Sequence, residues 1–183
     1  MIELLYETHS ITTDNEAGIA TGWLPGELSE RGRAAARALG ERRREDAIDV
    51  VFTSDLRRAV ETAEIAFSGS VLPVRQDQRL RECNYGDLNG SPVPEIDAER
   101  LRRIDMRFPN GESYREVVER TRSFLADLAA KGPSRVLVIA HSANRWAIEH
   151  LLYGTPLEDL VTAPFAWQEG WEYRLDGSRF GRG

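Results

Sequence analysis

The chain has 183 residues, 41% hydrophobic and 30% charged, with a formal net charge of −6. That length fits one domain spanning residues 1–183 with a sizeable core; the scattered charges form no like-signed block that would suit nucleic acid or a membrane surface. A single cysteine, Cys83, excludes an internal disulfide.

The N-terminus opens directly into Ile2-Glu3-Leu4-Leu5-Tyr6, with no basic leader and no long apolar run. Neither a secretion signal nor a membrane span is expected, and a cytoplasmic address follows by default. These first residues read as a short buried strand. Residues 10–26 are polar and Gly-rich, which predicts a loop. Ser29 reads as an N-cap, with Gly32 an unfavourable early residue, and the Ala-, Leu- and Arg-rich run 33–44 predicts a helix. Residues 48–52 are apolar and β-branched and predict a second strand. Thr53-Ser54-Asp55 reads as the cap of a helix running to about Phe67, and 71–74 as a third short strand. Residues 79–90 look irregular. A helical stretch at 95–106 follows Pro92 and Pro94, and Asn110-Gly111 signals a turn. Ser113 then caps an amphipathic helix that stops near Lys131-Gly132-Pro133. Residues 135–140 contain Val-Leu-Val-Ile, the strongest strand in the chain, and the unbroken apolar run suits a strand covered on both faces. Another helix is expected at 143–153, ended by Gly154 and Pro156. The tail from Ala163 carries Trp167, Trp171 and Tyr173, and reads as one or two edge strands with a turn at Asp176-Gly177.

Strands alternating with helices imply βαβ units and a mostly parallel sheet. Ligands on such sheets sit beyond the carboxyl ends of the strands. His9 lies just past the first predicted strand, Ser54 to Arg58 just past the second, and His141 just past the late central one. Three polar clusters distant in sequence therefore meet at one rim. An imidazole can attack phosphorus and carry a phosphoryl group. Arginine clamps phosphate oxygens with parallel hydrogen bonds. A second histidine can donate to the same oxygens, and a carboxyl group can protonate a leaving oxygen and later activate water. These parts suffice for phosphoryl transfer without a metal or other cofactor, and the spacing of His9, His141 and Glu82 carries no metal-ligand signature. Cys83 reads as a packed thiol, and His150, inside a predicted helix, as structural.

The motifs in this order resemble those of the histidine phosphatase superfamily. Thr8-His9-Ser10 stands where that family carries Arg-His-Gly. Gly22-Trp23-Leu24 and the run Leu28-Ser29-Glu30-Arg31-Gly32-Arg33 resemble its loop and first helix. Thr53-Ser54-Asp55-Leu56-Arg57-Arg58-Ala59 with Thr62-Ala63 is similar to its second arginine motif. Leu80-Arg81-Glu82 with Tyr85-Gly86-Asp87 and Gly90 resembles its acid loop, and Gly111-Glu112-Ser113 opens a helix as in many small phosphatase members. Val136-Leu137-Val138-Ile139-Ala140-His141 resembles the strand that delivers its second histidine. The resemblance runs from residue 2 to about 154. It implies a phosphoglycerate mutase-like α/β fold, a three-layer sandwich whose mostly parallel central sheet is flanked by helices.

By the same resemblance His9 is the phosphorylated nucleophile, Arg58 and His141 bind the phosphoryl oxygens, and Glu82 is general acid and then base. Arg57, Arg145 and Ser10 complete the expected substrate-binding set. Thr8 replaces the family's first arginine, Ser10 its glycine, and Ser142 the glycine after the second histidine. Arg57, Arg81 and Arg145 are the candidates to supply the missing charge. Strand alternation would turn a charged Glu7 toward the pocket if the first strand reaches His9. The expected activity is hydrolysis of a small phosphate monoester. The alternatives are a phosphoglycerate mutase, for which the segment 90–110 is short, and an impaired phospho-ligand-binding protein or an enzyme of specialised metabolism.

Overall fold

A computed structural model describes residues 1–176 and 180. Its elements in chain order are strand β1 (Ile2–Thr8), helix α1 (Thr13–Ala17), β2 (Ile19–Ala20), α2 (Glu30–Arg42), β3 (Val50–Thr53), α3 (Arg57–Ala66), β4 (Val74–Gln76), β5 (Ser91–Pro92), α4 (Val93–Glu99), α5 (Tyr114–Lys131), β6 (Arg135–Ala140), α6 (Ser142–Tyr153), α7 (Leu157–Thr162) and β7 (Trp171–Leu175). The main sheet has the order β4-β3-β6-β1-β7. Its pairs are parallel except the last, where β7 runs antiparallel to β1. A two-stranded ribbon, β2 with β5, stands apart.

The period of two in each strand divides the apolar side chains between two layers of helices. Leu4, Tyr6, Val136 and Val138 face one way, into a core shared with Phe124, Leu125, Trp146 and Ile148 of α5 and α6. Leu5, Leu137, Ile139 and Val51 face the other way, against Leu39 of α2 and Ala63 of α3. Each large apolar side chain buried in these layers contributes roughly 1.5–3 kcal/mol. The result is the three-layer α/β sandwich expected from the sequence. No helix among the described residues is long and apolar enough to cross a membrane.

Several boundaries differ from the sequence reading, for local reasons. The predicted loop 10–26 contains α1, which is held by a reciprocal capping box between Thr12 and Asn15. The helix after β3 starts late: Leu56, not Thr53-Ser54-Asp55, is its N-cap. The third parallel strand is β4, a little beyond 71–74. Helix α4 ends at Glu99, short of Met106. Ser142 begins α6, and α7 follows where only a stop was read. The tail supplies one edge strand among the described residues; the expected turn at Asp176-Gly177 lies partly outside them. Gly32 is explained by close approach: a Cβ there would meet the Ile11 carbonyl oxygen at 1.9 Å. Helix α2 therefore lies directly against the loop that follows β1.

Glu7 does not enter the pocket. It is buried on the α2 side, where its Oε1 accepts from Arg43 Nη2 at 2.7 Å, Arg43 Nε at 3.0 Å and Arg42 Nη2 at 3.1 Å. Gly170, at φ +85°, passes so close that a Cβ would meet Arg43 Nη2 at 2.2 Å. The segment leading into β7 thus closes over this ion cluster. Glu7→Ala takes away the acceptor of Arg43 Nε and Nη2, while Nη1 keeps Asp46 at 2.9 Å. The expected loss is about 1–3 kcal/mol of stability, read from urea unfolding; an unchanged midpoint would contradict this account of the cluster.

Candidate active site

Register places the three polar clusters at one level. Thr8 pairs with Ala140 and Thr53 with Ile139, so the residues that follow, His9, His141 and Ser54, emerge side by side at the carboxyl rim. The His9 amide extends the ladder by donating to the Ala140 carbonyl at 2.8 Å.

His9 Nδ1 lies 2.8 Å from the Ser10 carbonyl oxygen. A carbonyl only accepts, so in the neutral ring Nδ1 carries the proton and Nε2 keeps its lone pair. Arg58 Nε donates to that Nε2 at 3.3 Å. Burial, and secondarily the Arg58 charge, push the His9 imidazole down to about 3, against the opposing effect of the Ser10 carbonyl. The ring is therefore neutral, with Nε2 aimed at a guanidinium.

Arg58 leaves the first turn of α3 and is 2% exposed. Its Nη2 donates to the Gly22 carbonyl at 2.8 Å and its Nη1 to the Leu24 carbonyl at 3.3 Å. Among the described residues no carboxylate forms an ion pair with it. Burial lowers its proton affinity, while Glu82, Tyr85 and Asp14 act the other way.

His141 is the fully buried N-cap residue of α6. Its ring centroid stands 5.1 Å from that of His9. Its backbone carbonyl accepts from the Tyr6 hydroxyl at 2.6 Å, and its Nε2 lies 2.7 Å from Ser54 Oγ. Burial, then Arg58, His9 and Arg120, hold it well below the usual imidazole range.

Glu82 is buried, with Oε1 accepting from the Cys83 amide at 2.7 Å. Its carbonyl is held by Trp23 Nε1 at 2.7 Å and Arg120 Nη2 at 2.9 Å. Burial raises its pKa above the ordinary carboxylate value, although the Cys83 amide and Arg58, Arg120 and Arg100 pull it down. A carboxyl group protonated beyond its normal range is suited to donate a proton.

The structure thus brings His9, Arg58 and His141 together, with Glu82 near enough for its charge and that of Arg58 to act on each other. Three expected substrate-binding side chains point elsewhere. Arg57 is about half exposed and pairs with Glu27 at 2.8 Å, because adjacent helix positions face about 100° apart. Arg145 lies over the Trp171 ring at 4.8 Å and beside Glu149. The Ser10 hydroxyl donates to the Gly32 carbonyl at 2.6 Å, so it fastens the loop to α2. Arg81, the other candidate to replace the missing charge, is engaged by Asp55 at 2.6 and 2.5 Å and stacks on Trp23 at 4.5 Å. Among the described residues none of these three arginines contacts His9 directly.

Sequence reading gave no site role to Trp23 or Arg120, and read Ser54 only as part of a helix cap and a rim cluster. Trp23 sits in a tripeptide that carries a motif signal, and Ser54 follows β3 directly. Arg120 lies mid-helix in α5 and has no local signal, since its contacts to Glu82 and Arg79 are 38 and 41 residues away.

A family model described as histidine phosphatase superfamily (branch 1) matches residues 8–168. The 2,3-bisphosphoglycerate-dependent phosphoglycerate mutase of Bifidobacterium longum (strain DJO10A) is 30% identical over 197 aligned positions, which cover 87% of this chain and 80% of the mutase. The putative phosphoserine phosphatase 2 of Hydrogenobacter thermophilus is 30% identical over 168 positions, covering 87% of this chain and 83% of that protein. The solved structure of Bacillus stearothermophilus YhfR superposes with a TM-score of 0.85 at 26% identity, covering 97% of this chain and 93% of YhfR. Since 87% of 183 residues is about 159, the mutase alignment leaves about 38 positions unmatched by this chain and the phosphatase alignment about 9. The sandwich, its rim histidines and the span of the match agree: this chain belongs to the histidine phosphatase superfamily, branch 1.

Proposed function

We propose that the protein is a phosphohydrolase that cleaves a small phosphate monoester through a phosphohistidine at His9. The observation that carries this reading is the buried Arg58 guanidinium, which has no carboxylate partner among the described residues and faces the free nitrogen of a neutral imidazole. Such a pocket is net positive and favours an anion with oxygen atoms to accept from Arg58.

In the first step His9 Nε2 attacks phosphorus, the P–O bond to the leaving group breaks, and Glu82 gives that oxygen its proton. In the second, the Glu82 carboxylate takes a proton from water, the hydroxide forms a new P–O bond, and the P–N bond breaks to return His9. Arg58 and His141 donate to the equatorial oxygens in both steps. Hydrolysis is favoured over phosphoglycerate mutation because this chain lacks about 38 of the positions over which it aligns with the mutase, but few of those shared with the phosphatase.

A panel of phosphate monoesters, with and without chelator, tests the reading. Chelator-insensitive phosphate release supports hydrolysis; migration of phosphate within phosphoglycerate without release supports a mutase. Thr8 motivates one other reading, a binding protein with little turnover, for which inorganic phosphate or vanadate would bind and no monoester would be cleaved.

Glu82→Gln separates the acid step. Removing the proton donor is expected to lower kcat/KM by about 10²–10⁴-fold for an alkyl phosphate, and much less for p-nitrophenyl phosphate, whose leaving group needs no proton. Because burial raises the Glu82 pKa, the native profile falls as pH rises through that raised value, and the variant lacks this limb. Equal losses on both substrates would remove Glu82 from the acid role.

A further inference from the structure

We propose that Ser54 is a positioning residue that fixes the tautomer of His141, donating its hydroxyl hydrogen to Nε2 so that the ring's own proton sits on Nδ1. Ser54 and His141 are both fully buried, with Oγ and Nε2 2.7 Å apart. Ser54 Oγ also accepts from the Leu56 amide at 3.3 Å. His141 Nδ1 is buried and has no hydrogen-bond partner among the described residues.

Two arrangements of the hydrogen between Ser54 and His141 are possible. If Nε2 carries the proton and donates to Oγ, the serine hydrogen must find another acceptor, and none of the contacts of Oγ supplies one. Nδ1 is then a bare acceptor as well, so two buried groups go unsatisfied. If Oγ donates to Nε2, its lone pairs still accept from the Leu56 amide, and only Nδ1–H is left over. Buried unsatisfied groups are costly, so the second arrangement is favoured. The remaining N–H belongs to a ring whose centre is 5.1 Å from that of His9. A transferring phosphoryl group on His9 provides the acceptor that this donor lacks, and the wrong tautomer would present it with a lone pair instead. The consequence for catalysis rests on the proposed hydrolysis; the tautomer itself does not.

The experiment is therefore in two parts. In uniformly ¹⁵N-labelled protein, the His141 ring is expected to show a protonated-type Nδ1 shift and an unprotonated-type Nε2 shift. The reverse pattern overturns the proposal, whether or not the protein turns over any substrate. Ser54→Ala is then compared with Ser54→Thr on the best monoester. The alanine variant is expected to lose about 10- to 100-fold in kcat, by analogy with removal of the outer partner of a metal-bound histidine, with KM little changed and a melting temperature lowered by a few degrees, because His141 Nε2 and the Leu56 amide lose the hydroxyl. The threonine variant, which restores the hydroxyl, is expected to recover most of that loss. An alanine variant with wild-type kcat overturns the positioning role even if the tautomer is as proposed. Absence of turnover in the wild type would instead count against the hydrolase reading alone.

Discussion

His9→Ala is expected to abolish phosphate release, with kcat down by about four to six orders of magnitude, as when the nucleophile of a covalent mechanism is removed. Alanine removes Nε2, the unprotonated ring nitrogen that accepts from the Arg58 guanidinium at 3.3 Å. The fold is expected to survive, because among the described residues the ring's hydrogen bonds are to the Ser10 carbonyl and Arg58, while the strand contact through the His9 amide remains. The check is release from the best monoester alongside a melting curve. A folded variant that retains more than about a hundredth of the activity would remove His9 from the covalent role, since nucleophile loss costs far more than that.

Arg58→Ala is expected to weaken both turnover and binding. Loss of one charged partner from a buried phosphate site costs roughly 2–5 kcal/mol, or very roughly 30- to 5,000-fold in rate. By the motif resemblance Thr8 stands where the family's other arginine would be, and Arg57, Arg81 and Arg145 are engaged elsewhere. The variant therefore has no neighbouring guanidinium on His9 to fall back on, and the loss is expected toward the upper end. Gly22 and Leu24 also lose the donor that holds their carbonyls, so KM rises along with the fall in kcat. Arg58→Lys keeps the charge but not the planar fork that reaches His9 and both carbonyls, so it recovers little. A titration reads the same contact without substrate. Arg58 is the second cause, after burial, that holds the His9 ring near 3. Removing a positive neighbour favours the imidazolium, so the His9 titration in Arg58→Ala moves upward, toward its ordinary value. An unmoved titration would mean that the two groups do not feel each other.

The architecture was legible because its strongest signals are hydrophobic. The unbroken Val-Leu-Val-Ile run became β6, at the bounds expected and covered on both faces. Ser113 closed a capping box with Glu116 at the start of α5. The rim position of His9, Arg58 and His141 followed from the rule that ligands lie beyond parallel strand ends; the register of β1, β6 and β3 sets the two histidines there, and α3 brings Arg58 to His9. What stayed hidden was the direction of polar side chains. Arg57 and Arg58 are adjacent in sequence, and only the docking of α3 against the loop carrying Gly22 and Leu24 turns one inward and the other toward Glu27. Ser10 looked like a ligand for substrate, but the glycine at position 32 lets α2 approach closely enough to take its hydroxyl. Glu7 looked like a problem for an anion site, and its answer, Arg42 and Arg43, is 35 and 36 residues downstream at the end of a helix. These are long-range contacts, and local sequence pattern carries no information about them.

Everything in the proposed chemistry depends on a phosphorus–nitrogen bond at one atom. The protein should be mixed with a ³²P-labelled monoester, quenched in alkali within the first turnovers, and digested for mass spectrometry. The expected result is an acid-labile, alkali-stable phosphoryl group on the peptide carrying His9, absent from His9→Ala. Steady release of phosphate with no labelled His9 peptide at any quench time would contradict it.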